Sequence, residues 1–206
     1  MGYGRPPLHK GDSVLRSFVK AEKVNITAKP DPAPRLIQPR SPRFNAVVGS
    51  YIKHLEKAIY ACIASIFGGP TVMKGFNAEQ SGRHMRNMWD SFEDPVGIDL
   101  DATRFDQHVS REMLQWEHSV YLSAFAGEDR RNLAGLLKQQ LDNRGIIRCA
   151  DGTIRYAVSG CRMSGDMNTA MGNCLIMCAL VHTLSTERGI GTRLANNGDD
   201  CVVFCE

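Results

Sequence analysis

Apolar and polar positions change their period several times along these 206 residues. Over residues 46–67, Val47, Tyr51, Leu55 and Ala58 recur near one helical face, and Gly68-Gly69-Pro70 ends the run. That spacing predicts an amphipathic helix with a stop signal. Residues 77–92, with Met85, Met88 and Trp89, predict a second helix. Residues 109–125 and 129–142 predict two more, parted near Gly127, and residues 166–188 a long one behind a Ser-Gly loop. The large apolar side chains of these segments, Trp89 and Trp116 included, are expected in the core. Residues 95–100 predict a short buried strand that delivers Asp101 to its C-terminal end, where ligand sites collect. Residues 146–158 alternate around Asp151-Gly152, a hairpin signal. Residues 192–195 and 201–205 predict two strands closed by Asn196-Asn197-Gly198-Asp199-Asp200. Seven of the nine prolines precede residue 43, so residues 1–45 are expected to be extended, irregular or edge-strand.

Composition is that of an ordinary globular chain, with 43% hydrophobic and 23% charged residues. The charge is unevenly spread. Residues 1–50 hold nine Lys and Arg against three Asp and Glu, within an overall formal charge of +3. A basic arm ahead of an acidic centre suits a polyanion ligand and divalent cations, although a solvated basic loop has the same composition. The apolar runs 58–67 and 174–181 are too short to span a bilayer, so no direct membrane span is expected. No apolar leader follows Met1. The seven cysteines form no Cys-x2-Cys pair, and their apolar flanks predict small buried thiols in a reducing compartment.

Three motifs carry the chemistry: Asp101-x4-Asp106, Ser164-Gly165-x3-Thr169-x3-Asn173 and Gly198-Asp199-Asp200. Joining a nucleoside triphosphate to a 3′-hydroxyl requires activation of the attacking oxygen and neutralisation of the leaving pyrophosphate. Two magnesium ions about 3.5–4 Å apart can do both. Magnesium takes hard oxygen ligands. A strand-end Asp101 beside a tight-turn Asp199 meets that need if the two strands are neighbours. Asp99 shares a strand face with Asp101 and is a rival ligand. Each motif alone has a plainer reading. Gly198-Asp199-Asp200 suits an ordinary hairpin turn, and Asp101, Ser164 and Asp166 suit helix capping. On a helix, Thr169 and Asn173 lie four residues apart on one face. There a hydroxyl and an amide can bond a ribose, and Asp106 can accept from its 2′-hydroxyl.

Taken together, the chain resembles viral RNA-dependent RNA polymerases, in particular those of positive-strand RNA plant viruses of the tombusvirus and carmovirus kind. The resemblance rests on Phe18–Val24, Pro34–Asn45, Leu100–Ser110 with its Asp-Ala-Thr-Arg-Phe-Asp-Gln-His run, Ser164–Asn173 and Asn197–Asp200. It implies an α/β (α+β) fold: a right-hand polymerase palm with an antiparallel sheet, helices packed on one face, partial fingers and no thumb. Residues 1–95 would be partial fingers with a basic nucleotide-entry arm. Residues 96–206 would be the palm, with a fingers-like helical insertion at about 127–158, truncated after the Gly-Asp-Asp hairpin. Asp101, Asp199 and Asp200 are implied as the catalytic and metal-binding aspartates, Asp101 matching the first metal ligand, Asp199 the second, and Asp200 the supporting neighbour of Asp199. Asp106 matches the ribose-sensing aspartate, and Ser164, Thr169 and Asn173 the loop and helix that position the incoming nucleotide. Arg35 fits the triphosphate entry channel best, with Lys20, Lys29 and Arg40 as helpers.

The same resemblance implies Mg2+ as cofactor, for which Mn2+ can substitute. It also implies RNA template and primer or nascent strand, nucleoside triphosphates, and viral and host replication proteins as partners. The expected location is the host cytoplasm, at membrane-associated replication complexes reached through other segments or partners. The relatives' palm continues past the Gly-Asp-Asp hairpin, so the chain reads as a replicase fragment with little or no activity alone. A non-catalytic single-stranded RNA-binding module is the alternative. A reverse transcriptase is disfavoured by Asp106, Asn173 and Asn197-Gly198, and a coat subunit by the internal carboxylates.

Overall fold

The computed structural model describes residues 8–23, 27 and 33–206. In chain order the elements are β1 (Leu15–Val19), β2 (Leu36–Ile37), α1 (Pro42–Ile52), a 3-10 turn (Lys53–Leu55), α2 (Glu56–Phe67), α3 (Ala78–Trp89) and β3 (Val96–Asp101). They continue through α4 (Phe105–His108), α5 (Arg111–Ser123), α6 (Gly127–Lys138), β4 (Asp142–Cys149), β5 (Gly152–Ser159), α7 (Thr169–Arg188), β6 (Arg193–Asn196) and β7 (Asp200–Cys205). The chain forms two compact units, each from two stretches: residues 1–51 with 106–169, and residues 52–105 with 170–206. The fold class is mixed α and β, as expected.

The first unit holds a four-stranded sheet in the order β2-β1-β4-β5. The β4–β5 hairpin pairs antiparallel from Asp142↔Ser159 to Cys149↔Gly152, turning at Ala150-Asp151 as the alternation predicts. β1 joins β4 in parallel, Leu15↔Gly145 to Ser17↔Ile147. One face of this sheet is packed. Tyr156 lies across Gly145, where an added Cβ would sit 2.0 Å from its ring, and its hydroxyl bonds Ser17 Oγ at 2.7 Å. Leu15 is fully buried on that face. α1 begins at Pro42, before the expected start and inside the stretch expected to be irregular. Ser41 Oγ accepts from Phe44 N at 3.1 Å, and proline suits the first helical turn, where its missing N–H costs nothing. Trp116, expected in the core, is 43% exposed on α5. The buried stripe of that helix is Leu114, Glu117, His118 and Tyr121 instead.

The second unit holds an antiparallel sheet in the order β3-β7-β6. Helix α2 ends as predicted: Gly68 takes the left-handed conformation (φ 74°) and donates to Ala64 O. The single helix expected over residues 46–67 is instead interrupted by the 3-10 turn, where the chain passes from one unit to the other. Asn77 and Gln80 form a reciprocal capping box that starts α3. Met88 of α3 packs with Ala195 and Phe204 on one sheet face, flanked by Met73, Met85, Phe92 and Val202. The register puts Leu194, Cys201 and Val203 on the opposite face. There Cys178 of α7 lies close to Cys201. Helices therefore cover both faces, not one as expected. β3 also departs from expectation. It is the sheet edge, bonded to β7 alone among the described residues, and all six of its residues are exposed. Trp89, expected in the core, is 39% exposed but meets Phe204 edge-on at 6.4 Å.

Helix α7 is apolar and long enough to reach across a bilayer, yet half of that span is buried in the fold, the pattern of a core helix. Cys174, Cys178 and Cys201 are buried, as predicted, whereas Cys62 and Cys149 are exposed. Burial pushes the Cys174 and Cys201 thiols each up to about 11, so both stay protonated near neutrality.

Candidate active site

In the second unit the two acidic motifs meet through strand pairing. β3 and β7 run antiparallel with Asp101↔Asp200 and Asp99↔Val202 in register. Asp101, more than ninety residues upstream, therefore ends its strand directly opposite Asp200, and Asp99 sits one step back on the same face. Asp199 is the adjoining turn residue. The condition set by the sequence, that the two strands be neighbours, is met.

The β6–β7 turn is built to hold this arrangement. Gly198 has φ 104°, a conformation that side chains with a Cβ rarely adopt. Asn196 is fully buried and grips the turn from both sides: its Nδ2 donates to Gly198 O at 2.8 Å, and its Oδ1 accepts from Gly198 N at 3.1 Å. Asn197 N closes the loop on Asp200 O at 2.8 Å. Asn173 of α7 is buried beneath the turn, its Cβ 3.9 Å from where a Cβ on Gly198 would stand.

One residue here escaped the sequence reading. Lys74 Nζ reaches Asn197 Oδ1 at 3.0 Å, placing a cation beside the turn. It is brought there by Thr71–Lys74, whose backbone runs along β6: Asn196 N donates to Thr71 O and Met73 N to Asn196 O, each at 2.8 Å. The β-branched Thr71-Val72 after the Gly68-Gly69-Pro70 stop is the signal that could have announced this extra edge.

Among the described residues, Asp99, Asp101, Asp199 and Asp200 form no ion pair. Nor do any three His, Cys, Asp or Glu among them close into a metal cage. Asp101, Asp199 and Asp200 thus make an open carboxylate rim. A cavity of about 460 Å³ lined by Phe67, His182, Ser185, Gly189 and Arg193 lies at the start of β6, away from the turn.

Asp106, Ser164, Thr169, Arg35 and Lys20 belong to the first unit. There the Ser164 loop is clamped. Gly165 packs so tightly on Pro39 that an added Cβ would lie 2.5 Å from its Cα. Asn45 Nδ2 donates to Gly165 O at 3.1 Å, and Ser164 Oγ donates to Leu36 O at 3.2 Å. The Thr169 hydroxyl donates to Met163 O at 2.9 Å. The backbone of Asp106 accepts from Arg162 N at 2.7 Å, and Cys161, itself at φ 61°, donates to Val109 O at 2.9 Å. Helix α7 starts at Thr169, not at Asp166 as expected, and includes Asn173 four residues on.

The delay has a physical cause, because the Asp166 carboxylate is engaged elsewhere. Arg40 Nε bonds Asp166 Oδ1 at 2.6 Å, both side chains being almost wholly buried, and Arg40 also reaches Asn143 Oδ1, Ser13 O and Gln139 O. Burial pushes the Asp166 carboxyl up, and the Arg40 guanidinium opposes that rise. Arg40, expected among the triphosphate helpers, is therefore a structural residue sealed from solvent. A second buried pair lies alongside. Arg162 bonds both oxygens of Glu117, which also accepts from Tyr121 Oη and Asn168 Nδ2, each at 2.7 Å. Arg35 is exposed but forms a bidentate pair with Glu22, to which Lys20 Nζ adds a contact at 3.1 Å. Arg35, chiefly, holds the Glu22 carboxyl down at about 2. Lys29 lies outside the described residues.

Comparisons with known proteins agree with the motifs. Residues 3–206 match the family model described as viral RNA dependent RNA polymerase. The RNA-directed RNA polymerase of tobacco necrosis virus (strain D) is 54% identical over 202 residues, 97% of this chain and 28% of that protein. That of melon necrotic spot virus is 57% identical over 199 residues, 97% of this chain and 25% of that protein. Turnip crinkle virus supplies a third, 52% identical over 200 residues, with 97% and 25% covered. The chain thus spans about a quarter of the length of these relatives.

Proposed function

Because the chain belongs to the viral RNA-dependent RNA polymerases, we propose that it is the part of a longer replicase that carries the nucleotidyl-transfer carboxylates. The intact protein copies an RNA template by joining nucleoside triphosphates to the 3′-hydroxyl of a primer or nascent strand. In this reading residues 96–206 are the palm, with a fingers-like insertion at about 127–158, and residues 1–95 are partial fingers. The observation that carries it is the register Asp101↔Asp200 beside the Gly198-Asp199 turn.

The donor set fits a divalent cation. Magnesium is commonly held by one or two carboxylates together with substrate phosphates and water, so an open rim of exposed Asp101 and Asp200 with half-buried Asp199, none of them in an ion pair among the described residues, suits it better than a closed cage would. When bound, Mg2+, or Mn2+ in its place, supplies Lewis acidity that lowers the cost of charge on the reacting oxygens. The chain's own residues orient. Asn196 and Gly198 fix the turn that presents Asp199, and Asn173 supports it from below. Ser164 and Thr169 stand on a loop held by buried ion pairs, suited to a nucleotide that must be placed within a fraction of an ångström. Asp106 is the group that would sense the ribose 2′-hydroxyl. Arg35 and Lys20 would have to leave Glu22 to take a triphosphate. The replicase would act in the host cytoplasm at membrane-associated complexes, with other segments or partners making the membrane contact.

The test is templated incorporation by the intact polymerase, parent against Asp199→Ala. Loss of incorporation with RNA binding retained is the expected result, and equal incorporation overturns the reading. Residues 1–206 alone are expected to show no templated synthesis, and detectable synthesis would refute the fragment half of the proposal.

A further inference from the structure

The four-stranded sheet of the first unit has a second face opposite its packed one. Its packed face is defined by Leu15, Ser17, Gly145 and Tyr156. Side chains alternate along a strand, so Arg16, Phe18, Arg144, Ile146, Arg148 and Arg155 all point the other way. Register places them together. Arg16, Ile146 and Arg155 stand in one row across β1, β4 and β5. Arg144 and Arg148 flank that row along β4, spanning about 13 Å at roughly 3.3 Å per residue. All four arginines are exposed, as is Phe18 at 52%.

None of the four arginines has an ion-pair partner among the described residues. The acid on the same face, Asp142, is already bonded to Arg111 Nη1 at 2.5 Å. Four like charges gathered on one small sheet cost stability through mutual repulsion. Their arrangement is explained by an anion that binds across them. Point anions would leave Phe18 without a role. A single-stranded polynucleotide uses both features, since guanidinium forks take phosphate oxygens and an exposed aromatic ring stacks a base.

We propose that this outer sheet face, Arg16, Phe18, Arg144, Arg148 and Arg155, is a binding track for single-stranded RNA, separate from the carboxylate rim. The choice of RNA over other polyanions rests on the polymerase reading. The track adds a non-specific grip whose strength is set by counterion release, so it depends steeply on salt.

The experiment is fluorescence anisotropy of a short labelled single-stranded RNA of mixed sequence against the 206-residue chain across a salt series. Arg144→Gln/Arg148→Gln is expected to weaken binding roughly 25-fold near 0.1 M salt and to flatten the log K against log salt slope by about 1.4, one phosphate per guanidinium. Phe18→Ala is expected to weaken binding about tenfold with the slope unchanged, the mark of lost stacking rather than lost charge. Arg144→Lys/Arg148→Lys should keep the parental slope, which separates charge from folding damage. Unchanged affinity and slope in the Gln pair overturn the proposal. So does binding to phosphatidylserine vesicles with no measurable RNA affinity. Failure of the polymerase reading shows elsewhere, as incorporation that survives Asp199→Ala in the intact enzyme, so the two outcomes are distinguishable.

Discussion

Replacing Arg162 by Met tests the buried clamp on the Ser164 loop. The Arg162 and Glu117 side chains are 1% and 0% exposed, so water cannot compensate whichever charge remains. Glu117 would keep two neutral donors, Tyr121 Oη and Asn168 Nδ2, and lose the guanidinium paired with it. Breaking a buried pair in this way costs about 3–5 kcal/mol. For a chain of this size that is a fall in Tm of roughly 6–20 °C. Glu117→Met/Arg162→Met removes both charges. Its remaining penalty is the stranded Tyr121 hydroxyl and Asn168 amide, about 1–3 kcal/mol each at most. The double variant should therefore be much less damaged than the sum of the singles. The assay is thermal unfolding followed by circular dichroism on parent, Glu117→Met, Arg162→Met and the double variant. Additivity within about 0.5 kcal/mol would mean the pair is not coupled and would refute the clamp.

Other perturbations read other parts of the molecule. Asp101→Ala in the intact polymerase should lower incorporation at least 100-fold, on the scale of removing a group that stabilises transition-state charge; primer-extension rates measure it. Gly165→Ala forces a Cβ against Pro39 and should cost about 1–3 kcal/mol, seen as a lower midpoint in urea unfolding; an unchanged midpoint would show that the loop gives way freely. His118 carries a pH prediction. Burial, opposed by Glu117 and aided by Arg162, holds its imidazole down at about 4, and Gln140 lies beside it although neither His118 Nε2 nor Gln140 Oε1 has a bonding partner. The folded pKa lies below the unfolded value of 6.5, so the unfolded chain binds the proton first. Stability is complete above pH 6.5 and falls as pH drops towards 4, by about 3 kcal/mol at 1.36 kcal/mol per pH unit. His118→Gln should remove that slope from a Tm-against-pH curve, and an identical slope in the variant would contradict the assignment.

What could be read from sequence was local. The β4–β5 hairpin, α3 and the Gly198 turn lie where period and turn chemistry indicate, because each is specified by residues within a few positions of one another. What could not be read is long-range. The parallel pairing of β1 with β4 joins Arg16 to Ile146, and nothing in either segment announces the other. Arg40 looked like one more cation of a basic arm until the fold placed Asp166 against it, 126 residues away. That same bond explains why α7 begins at Thr169, since a carboxylate held by a buried guanidinium does not cap a helix. The break at Lys53–Leu55 falls in a segment with good helical period and itself contains no proline or glycine; it coincides with the change from one unit to the other. The meeting of Asp101 with the Gly198-Asp199-Asp200 turn was legible because motif spacing and strand ends converge on it. The position of Lys74 beside the turn was not, since it depends on a backbone bridge to Asn196.

The two units treat charge in opposite ways, and the contrast yields a last prediction. In the first unit the buried charges Arg40, Asp166, Arg162 and Glu117 are matched. In the second, Asp101 and Asp200 face each other across a strand pair with Asp199 adjoining and Asp99 one step away, and none of them forms an ion pair among the described residues. Like charges directly opposite on a sheet are destabilising, by roughly 0.2–1 kcal/mol per pair. A fold that needed only a stable hairpin would not keep them. Asp101→Asn should therefore raise the Tm of the metal-free chain by about 1–3 °C, and the gain should shrink as salt screens the repulsion. Added Mg2+ should stabilise the parent and not the variant, because a ligand that binds only the folded form shifts Tm through its occupancy. The measurement is a thermal shift series with chelator, with Mg2+ and at two ionic strengths. A lower Tm for Asp101→Asn in chelator would mean that the carboxylate serves the fold, and the case for the rim as a site kept against stability would fail.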